Sequence, residues 1–347
     1  MKDRPPSAEE WRNLYDAALE FKNTGCWTWM WDTDIFGVQN PADGEIGYCC
    51  VMGRAGRHFA MAVYLGTEGL EGYLKTQSQE MPPSSPDFLH VQKCLAASFE
   101  DREFLQKADF NVIKELGLKF RGRNSWPLFR SYQPGYFPWY LTGGEARYLA
   151  LCLLQAIDVS LRFKDDPDML TPPVENRYLV RVTEKGKRDL SWKDEWLEPS
   201  PLRRPQIIVK RIDAESLERM KRMSIQPHGD WEVDFFYFPG GVGEKGERPC
   251  FPYVFLCVDR NSGLVLTTHV AEPQKWMSEF PEGFLRFMES SKSLPEEIFV
   301  KKDEVFKLLE PIASRLGVRL RRVRKLKALE NAQAGMFERF AGGDLDA

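Results

Sequence analysis

The sequence predicts an α+β half followed by an α/β half whose elements run βββ-α-β-α-β-α. Three observations carry this expectation. The chain has 347 residues, and at about 150 residues per domain that is enough for two cores. A proline-rich stretch with little apolar content, EPSPLRRP at 198–205, divides the chain. After it, strand-like runs alternate with amphipathic helical runs in a regular order. The expected organisation is an α+β domain over 1–197, a linker at 198–205, an α/β domain over 206–341 and a small acidic tail at 342–347.

The first half opens with Ser7 and Glu10, an S-x-x-E capping box, ahead of Trp11, Leu14, Tyr15 and Ala18 at helical spacing. That helix is expected to end at Thr24-Gly25. Strand-like runs follow at 34–39, 45–52 and 58–65, the first two joined by the turn-forming NPADG at 40–44. Gly66–Gln77 reads as a helix, 80–86 as a loop, 88–99 and 110–116 as helices, and Trp126–Tyr132 as a strand. A long apolar helix is expected over 144–163, then strands at 177–183 and 190–196. Three strands and a helix at 34–77 echo the start of the second half, but no residue-level repeat supports a duplication.

The second half begins with a strand-like run at 206–210 and a helix at 214–223. Strands are expected at 231–238 (WEVDFFYF), Tyr253–Asp259 (YVFLCVD) and 264–270, the last two joined by the tight turn Asn261-Ser262-Gly263. A helix at 280–290, a strand at 297–301, a helix at 305–316 capped by Gly317, a strand at 318–323 and a helix at 328–340 complete it.

Composition narrows the function classes. Hydrophobic residues make up 43% and aromatics 13%, which excludes wholesale disorder. Lys and Arg number 48 against 51 Asp and Glu, a net charge of -3, so the chain as a whole is not a polybasic nucleic-acid binder. No apolar run approaches the roughly 18 residues of a membrane span. The N-terminal MKDRPPSAEEW lacks the apolar core of a secretory signal, and a cytoplasmic location is expected. The seven cysteines show no CxxC spacing, and most sit in apolar runs, as buried thiols do in a reducing compartment. The four histidines show no zinc-ligand spacing. There is no Walker A loop and no GxSxG elbow. Gly240, Gly241, Gly243 and Gly246 depart from GxGxxG and lie between two strand-like runs, as in a hairpin loop. No resident cofactor is expected.

Residues 230–340, with their βββ-α-β-α-β-α order, the motif Trp231-x-x-Asp234 and the strand ending Val258-Asp259-x-x-Ser262-Gly263, resemble the ribonuclease H-like fold of ribonuclease H, retroviral integrases and DDE transposases. The resemblance implies a chemistry in which two divalent metals, about 4 Å apart, are bridged by carboxylates and clamp a phosphate. It implies Asp234 on the first strand, Asp303 after the fourth strand and Glu330 on the last helix as Mg or Mn ligands. Glu282 or Glu289 would stand in for a further acidic residue. The residues themselves admit another reading. Asp303 reads equally as the N-cap of the next helix, Glu330 as an ordinary surface glutamate, and Asp234 as a residue on a solvent face of its strand. The reading favoured here is a scaffold without catalysis that binds an unknown protein partner. A metal-dependent nuclease or phosphoryl-transfer enzyme is the alternative.

Residues 315–327 hold Arg315, Arg319, Arg321, Arg322, Arg324, Lys325 and Lys327 with no acidic residue. Such a run contacts nucleic-acid phosphates or guards the edge of a sheet against pairing. Arg319, Arg321, Arg322, Arg324 and Lys325 are the nucleic-acid contact candidates. The loop at 133–142 (QPGYFPWYLT) is either a plug over the core or a recognition surface presenting Tyr136, Phe137 and Trp139. The tryptophans of WTWMW at 27–31 read as core or interface; as a cation-binding cage they would have to converge around an open pocket. The segments WMWDTDIFGVQNPADGEIG, YLGTEGLEGYL, PYVFLCVDRNSG and LLEPIASRLGV resemble a bacterial family of uncharacterised two-domain proteins. Some of its members carry a C-terminal SEC-C zinc motif whose cysteines are absent here. The resemblance implies a bacterial cytoplasmic protein and no particular activity.

Overall fold

The structure is a computed structural model that describes residues 4–78, 88–183, 191–202, 214–222, 227–244 and 246–341. The loop expected at 80–86, the strand at 206–210, the second part of the linker and the tail at 342–347 lie outside the described residues. The chain divides into two compact units, Met1–Leu202 and Arg203–Ala347.

The first unit opens with α1 (Ala8–Thr24). Ser7 and Glu10 close its capping box from both sides, and Gly25 ends it at φ 67°. Strands β1 (Phe36–Gln39), β2 (Ile46–Met52) and β3 (Ala60–Leu65) follow, then α2 (Gly66–Gln77), the single-turn α3 (Phe88–Val91) and β4 (Cys94–Glu100). Next come α4 (Lys107–Glu115), β5 (Trp126–Tyr132), α5 (Gly143–Asp165), β6 (Tyr178–Thr183) and β7 (Trp192–Leu197). The seven strands form one sheet in the order β5-β4-β3-β2-β1-β6-β7, antiparallel throughout except for the parallel pair β1 and β6.

The period of two sorts its residues onto two faces. Val38, Cys49, Val63, Leu95 and Phe129 pack under the paired helices α1 and α5. Tyr48, Cys50, Ala62, Tyr64 and Cys94 pack on the opposite face with Leu70 and Tyr73 of α2. A Cβ at Gly72 would sit 2.2 Å from the Val91 carbonyl, so glycine there lets α2 lie against the backbone entering β4.

One element departs from the sequence expectation. Residues 88–99 do not form a helix: only Phe88–Val91 is helical, and Cys94–Glu100 is a strand. Ala96, Ala97 and Leu95 favour a helix locally. Yet the strand lies between β3 and β5, where both edges of its backbone are hydrogen-bonded, and that pairing overrides propensity.

The second unit contains α6 (Ala214–Arg222), β8 (Asp230–Tyr237), β9 (Tyr253–Asp259), β10 (Val265–Ala271) and α7 (Trp276–Ser291). It continues with β11 (Glu297–Val300), α8 (Asp303–Leu316), β12 (Arg319–Arg322) and α9 (Lys327–Ala341). Its five strands run in the order β10-β9-β8-β11-β12; the first three are antiparallel, and β11 and β12 add in parallel beyond β8. Gly317 ends α8 at φ 72°. Trp231, Val233 and Phe235 of β8 pack with α7 and α8; Phe236, with Val254, Leu256 and Val258 of β9, packs with Leu329 and its neighbours on α9. Between β8 and β9, Val242 and Cys250 pair as an isolated antiparallel bridge.

Candidate functional site

Period two gives one face of β8 Asp230, Glu232 and Asp234, the face that α9 covers. Across β11, Phe299 is in register with Glu232, and Glu297 with Asp230, so Glu297 shares this face. Three of these carboxylates are nearly removed from water: Glu232 is 2% exposed, Asp234 8% and Glu297 8%. A buried carboxylate must be answered by charge or hydrogen bonds, and each is answered from within the chain.

Asp234 faces Lys302, whose Nζ stands 3.4 Å from Oδ1. The same Oδ1 accepts the Phe235 N–H at 2.9 Å, and the Lys302 ammonium also donates to the Phe235 carbonyl. Burial pushes the Asp234 carboxyl above the usual range, while the Lys302 charge opposes that shift. Glu232 accepts the N–H of Leu329, in the first turn of α9, at 2.9 Å. It therefore serves the exposed donors of that helix end from a neighbouring strand. Arg260 stands 3.6 Å from its other oxygen and lies 3.8 Å above the Phe299 ring. Glu297 takes Arg319 and Arg321, both at 2.9 Å, one on each oxygen.

The other sequence-predicted ligands lie at the surface. Asp303 is exposed and pairs with Arg322 at 2.8 Å. It is the first residue of α8 and not its N-cap; Lys302 holds that position and makes no side-chain cap. Glu330 is exposed, with Lys301 at 3.6 Å. Glu289 pairs with Arg219 of α6 at 2.8 Å. Thus the structure gives Asp234, Asp303 and Glu330 three separate cationic partners. Among the described residues no three of His, Cys, Asp and Glu form a group that could hold a metal ion. A two-metal site needs its carboxylates to converge, and Asp234, Asp303 and Glu330 are not brought into such a group.

The basic run separates into two kinds of residue. Arg319, Arg321 and Arg322 are engaged by Glu297 and Asp303, and Arg322 also lies 4.3 Å above the Phe306 ring. Arg324 and Lys325, in the turn before α9, are exposed and have no ion-pair partner among the described residues.

In the first unit, Trp139 exchanges both backbone hydrogen bonds with Ser131, tying the aromatic loop to β5. Arg130 lies 4.9 Å from the Tyr140 ring and binds Asp109 through two hydrogen bonds of 2.9 and 2.8 Å. Tyr136, Phe137 and Trp139 are half-buried. Trp27 is buried, Trp29 donates to the Ser160 carbonyl, and Trp31 is exposed beneath Arg54, so the three indoles form no common cage. An open depression of about 670 Å³ is lined by Asp101, Arg102, Glu103, Leu105, Phe110, Gly122 and Arg123, and none of the predicted site residues lines it.

Glu232, Glu297, Arg260 and Lys302 were not singled out in the sequence. The alternation of Asp230, Glu232 and Asp234 in an apolar strand was the available signal for the first of them.

Two family models match the chain. Residues 11–181 match one described as a domain of unknown function (DUF7309), and residues 216–337 match another so described (DUF6930). The two matches, one in each half, fit a two-domain chain built from domains of unknown function. No curated protein matches it. Among solved structures, the catalytic core domain of BIV integrase is similar over 34% of this chain and 72% of its own, at 14% identity and a TM-score of 0.25. At that score the likeness establishes neither fold nor function. No helix among the described residues is long and apolar enough to cross a membrane.

Proposed function

We propose that the second unit is a ribonuclease H-like scaffold that binds without catalysing, and that the protein serves as a binding or adaptor module. Its topology supports the scaffold. Three antiparallel strands are followed by two parallel strands added beyond the first, each reached through a helix, with α9 crossing the far face.

The observation that carries the non-catalytic reading is Lys302. In the two-metal site that the ribonuclease H-like resemblance implies, the carboxylate on the first strand would meet a second carboxylate near the end of the fourth. Here Asp234 meets an ammonium at 3.4 Å. A fixed positive charge at that distance satisfies the carboxylate and repels an incoming divalent cation. The test is calorimetric titration of the full chain and of Asp234→Asn with Mg²⁺ and Mn²⁺. The expected result is no saturable heat from either protein. Saturable Mn²⁺ binding to the native chain that disappears in the variant would overturn the reading and restore the nuclease alternative.

A further inference from the structure

The two sheets present four edges, and three of them are protected. A sheet edge offers unpaired N–H and C=O groups, so folded proteins blunt it with charge, proline or a covering segment. Strand β7 carries Lys193, Asp194 and Glu195. Strand β5 contains Pro127 and is covered at Ser131 by the paired Trp139. Strand β12 reads Arg-Leu-Arg-Arg.

Among the described residues the fourth edge, β10, carries no Lys, Arg, Asp, Glu or proline and no covering strand, and its one irregularity lies at its start. Its sequence is VLTTHVA, and no further strand pairs with it among the described residues. Its one ionisable side chain, His269, is turned toward α7, with Phe280 edge-on at 5.8 Å and Glu279 at 3.5 Å. Val265, Thr268 and Val270 are in register with Val258, Leu256 and Val254, which places them on the α9 side of the sheet. Helix α9 packs on β8 and β9. Val265 is 45% exposed and Val270 57%, and Leu264 just before the strand is 63% exposed. The register irregularity between Val265 and Thr267 is confined to the start of the strand, and Thr267–Ala271 pairs without interruption.

We propose that β10 is a self-association edge, pairing antiparallel with β10 of a second copy of this chain about a two-fold axis. Charge and closure both favour a second copy as the occupant. An uncharged strand meets its own copy without repulsion, and a charged peptide gains no ion pair from it. A two-fold contact uses the open edge of both copies, and the arginines of β12 protect the opposite edge, so assembly stops at two. The apolar side chains beside the edge, Val265 and Val270, become covered in the same step.

The test is sedimentation of the full native chain across a concentration series, with Thr268→Lys and Val270→Lys in parallel. Circular dichroism and thermal melting would establish that each variant is folded. The native chain is expected to pass from monomer to dimer in the micromolar range, and each lysine to weaken association at least about tenfold, a loss of about 1.4 kcal/mol. Hydrogen exchange on the native chain gives an arm that needs no variant: the amides of 267–271 should exchange more slowly as concentration rises. A native chain that stays monomeric to about 100 μM, far above the micromolar range expected of this contact, would overturn the proposal. So would a dimer that survives both folded lysine variants, or one whose β10 amides exchange at the same rate at every concentration.

Discussion

On the side of the second sheet that packs with α7 and α8, β8 presents Trp231, Val233 and Phe235; on the α9 side it presents Asp230, Glu232, Asp234 and Phe236. The first face is closed by aromatic packing, with Trp231 edge-on to Phe284 at 6.0 Å and Phe235 4.5 Å from Trp276. The second is closed by charge as well as by the apolar cluster of Phe236 and Leu329. Glu232 holds the first turn of α9, Asp234 holds Lys302, and Glu297 holds two arginines. The difference teaches what a polar sheet face can become. Buried acids on this face serve here as anchors for a helix and for an edge strand, and their cations are built into the chain.

The comparison breaks most readily on the apolar face. Trp231→Ala removes a ring that is 2% exposed, and the loss of packing and the cavity left behind should cost the second unit about 3–5 kcal/mol. Denaturant unfolding of the full chain, followed by circular dichroism, measures it. A cost below about 1 kcal/mol would mean that this face is not the main source of the unit's stability.

On the polar face the largest expected effect is at Glu232. Glu232→Gln keeps an acceptor for the Leu329 N–H but loses the charge opposite Arg260; Glu232→Ala loses both. The alanine variant should cost about 1–3 kcal/mol, the usual penalty for leaving a buried donor unpaired. It should also speed hydrogen exchange selectively in the first turns of α9. Equal acceleration in α8 would show that the carboxylate supports the whole unit and not that helix alone.

These assignments also show what could be read in advance. The order of the second unit was legible because its signals are local. YVFLCVD ends at a tight turn, Val305, Leu308, Leu309 and Ile312 mark one buried helix face, and Gly317 stops that helix. Strand β4 was not legible, since Cys94–Glu100 is strand only by virtue of neighbours on both sides. At the site, Asp234 stood out as a carboxylate in an apolar strand. Its partner did not, because Lys302 is brought to it by the parallel pairing of β8 with β11, which no spacing along the chain reveals. The arginines of 315–327 were legible as a charged run, but which of them are engaged depends on Glu297 and Asp303 in space.

A pH series sharpens the contrast between anchors of opposite sign. In the first unit, Glu10 is held by Arg4, the Ser7 N–H and Arg147, and its carboxyl falls to about 2. Its contribution to stability is present above the unfolded carboxylate value and is lost as pH falls toward 2. Asp234 is raised by burial, with Lys302 only partly offsetting it. Its titration therefore favours the fold below the unfolded value, and that contribution is lost as pH rises through the folded one. The melting temperature of the native chain relative to Asp234→Asn should accordingly fall as pH rises from about 3 toward neutrality, and the native chain relative to Glu10→Gln should show the opposite slope. Lys302→Met should push the Asp234 carboxyl up further, as NMR titration of its carboxyl carbon would report. An Asp234 that titrates identically in that variant would remove Lys302 from its role.

The smallest effects on stability belong to the basic run, where one stretch of sequence contains both anchors and free charges. Arg319→Ala and Arg321→Ala each leave Glu297 with a single cation, so they act on the attachment of β12 to β11. Arg324→Ala with Lys325→Ala touches two exposed cations without partners among the described residues, and should change stability by no more than about 0.5 kcal/mol. If any of the five candidates meets a nucleic-acid phosphate, these two are the ones with charge to give. Affinity for duplex DNA, measured by fluorescence anisotropy across a salt series, should then lose about one unit of salt slope per removed cation in the double variant. Arg319→Ala should change that slope less, because its charge is already committed to Glu297. A larger loss of slope at Arg319 than at Arg324 and Lys325 would mean that the Glu297 pairs open to admit a phosphate, and the separation of anchors from free charges along this strand would no longer hold.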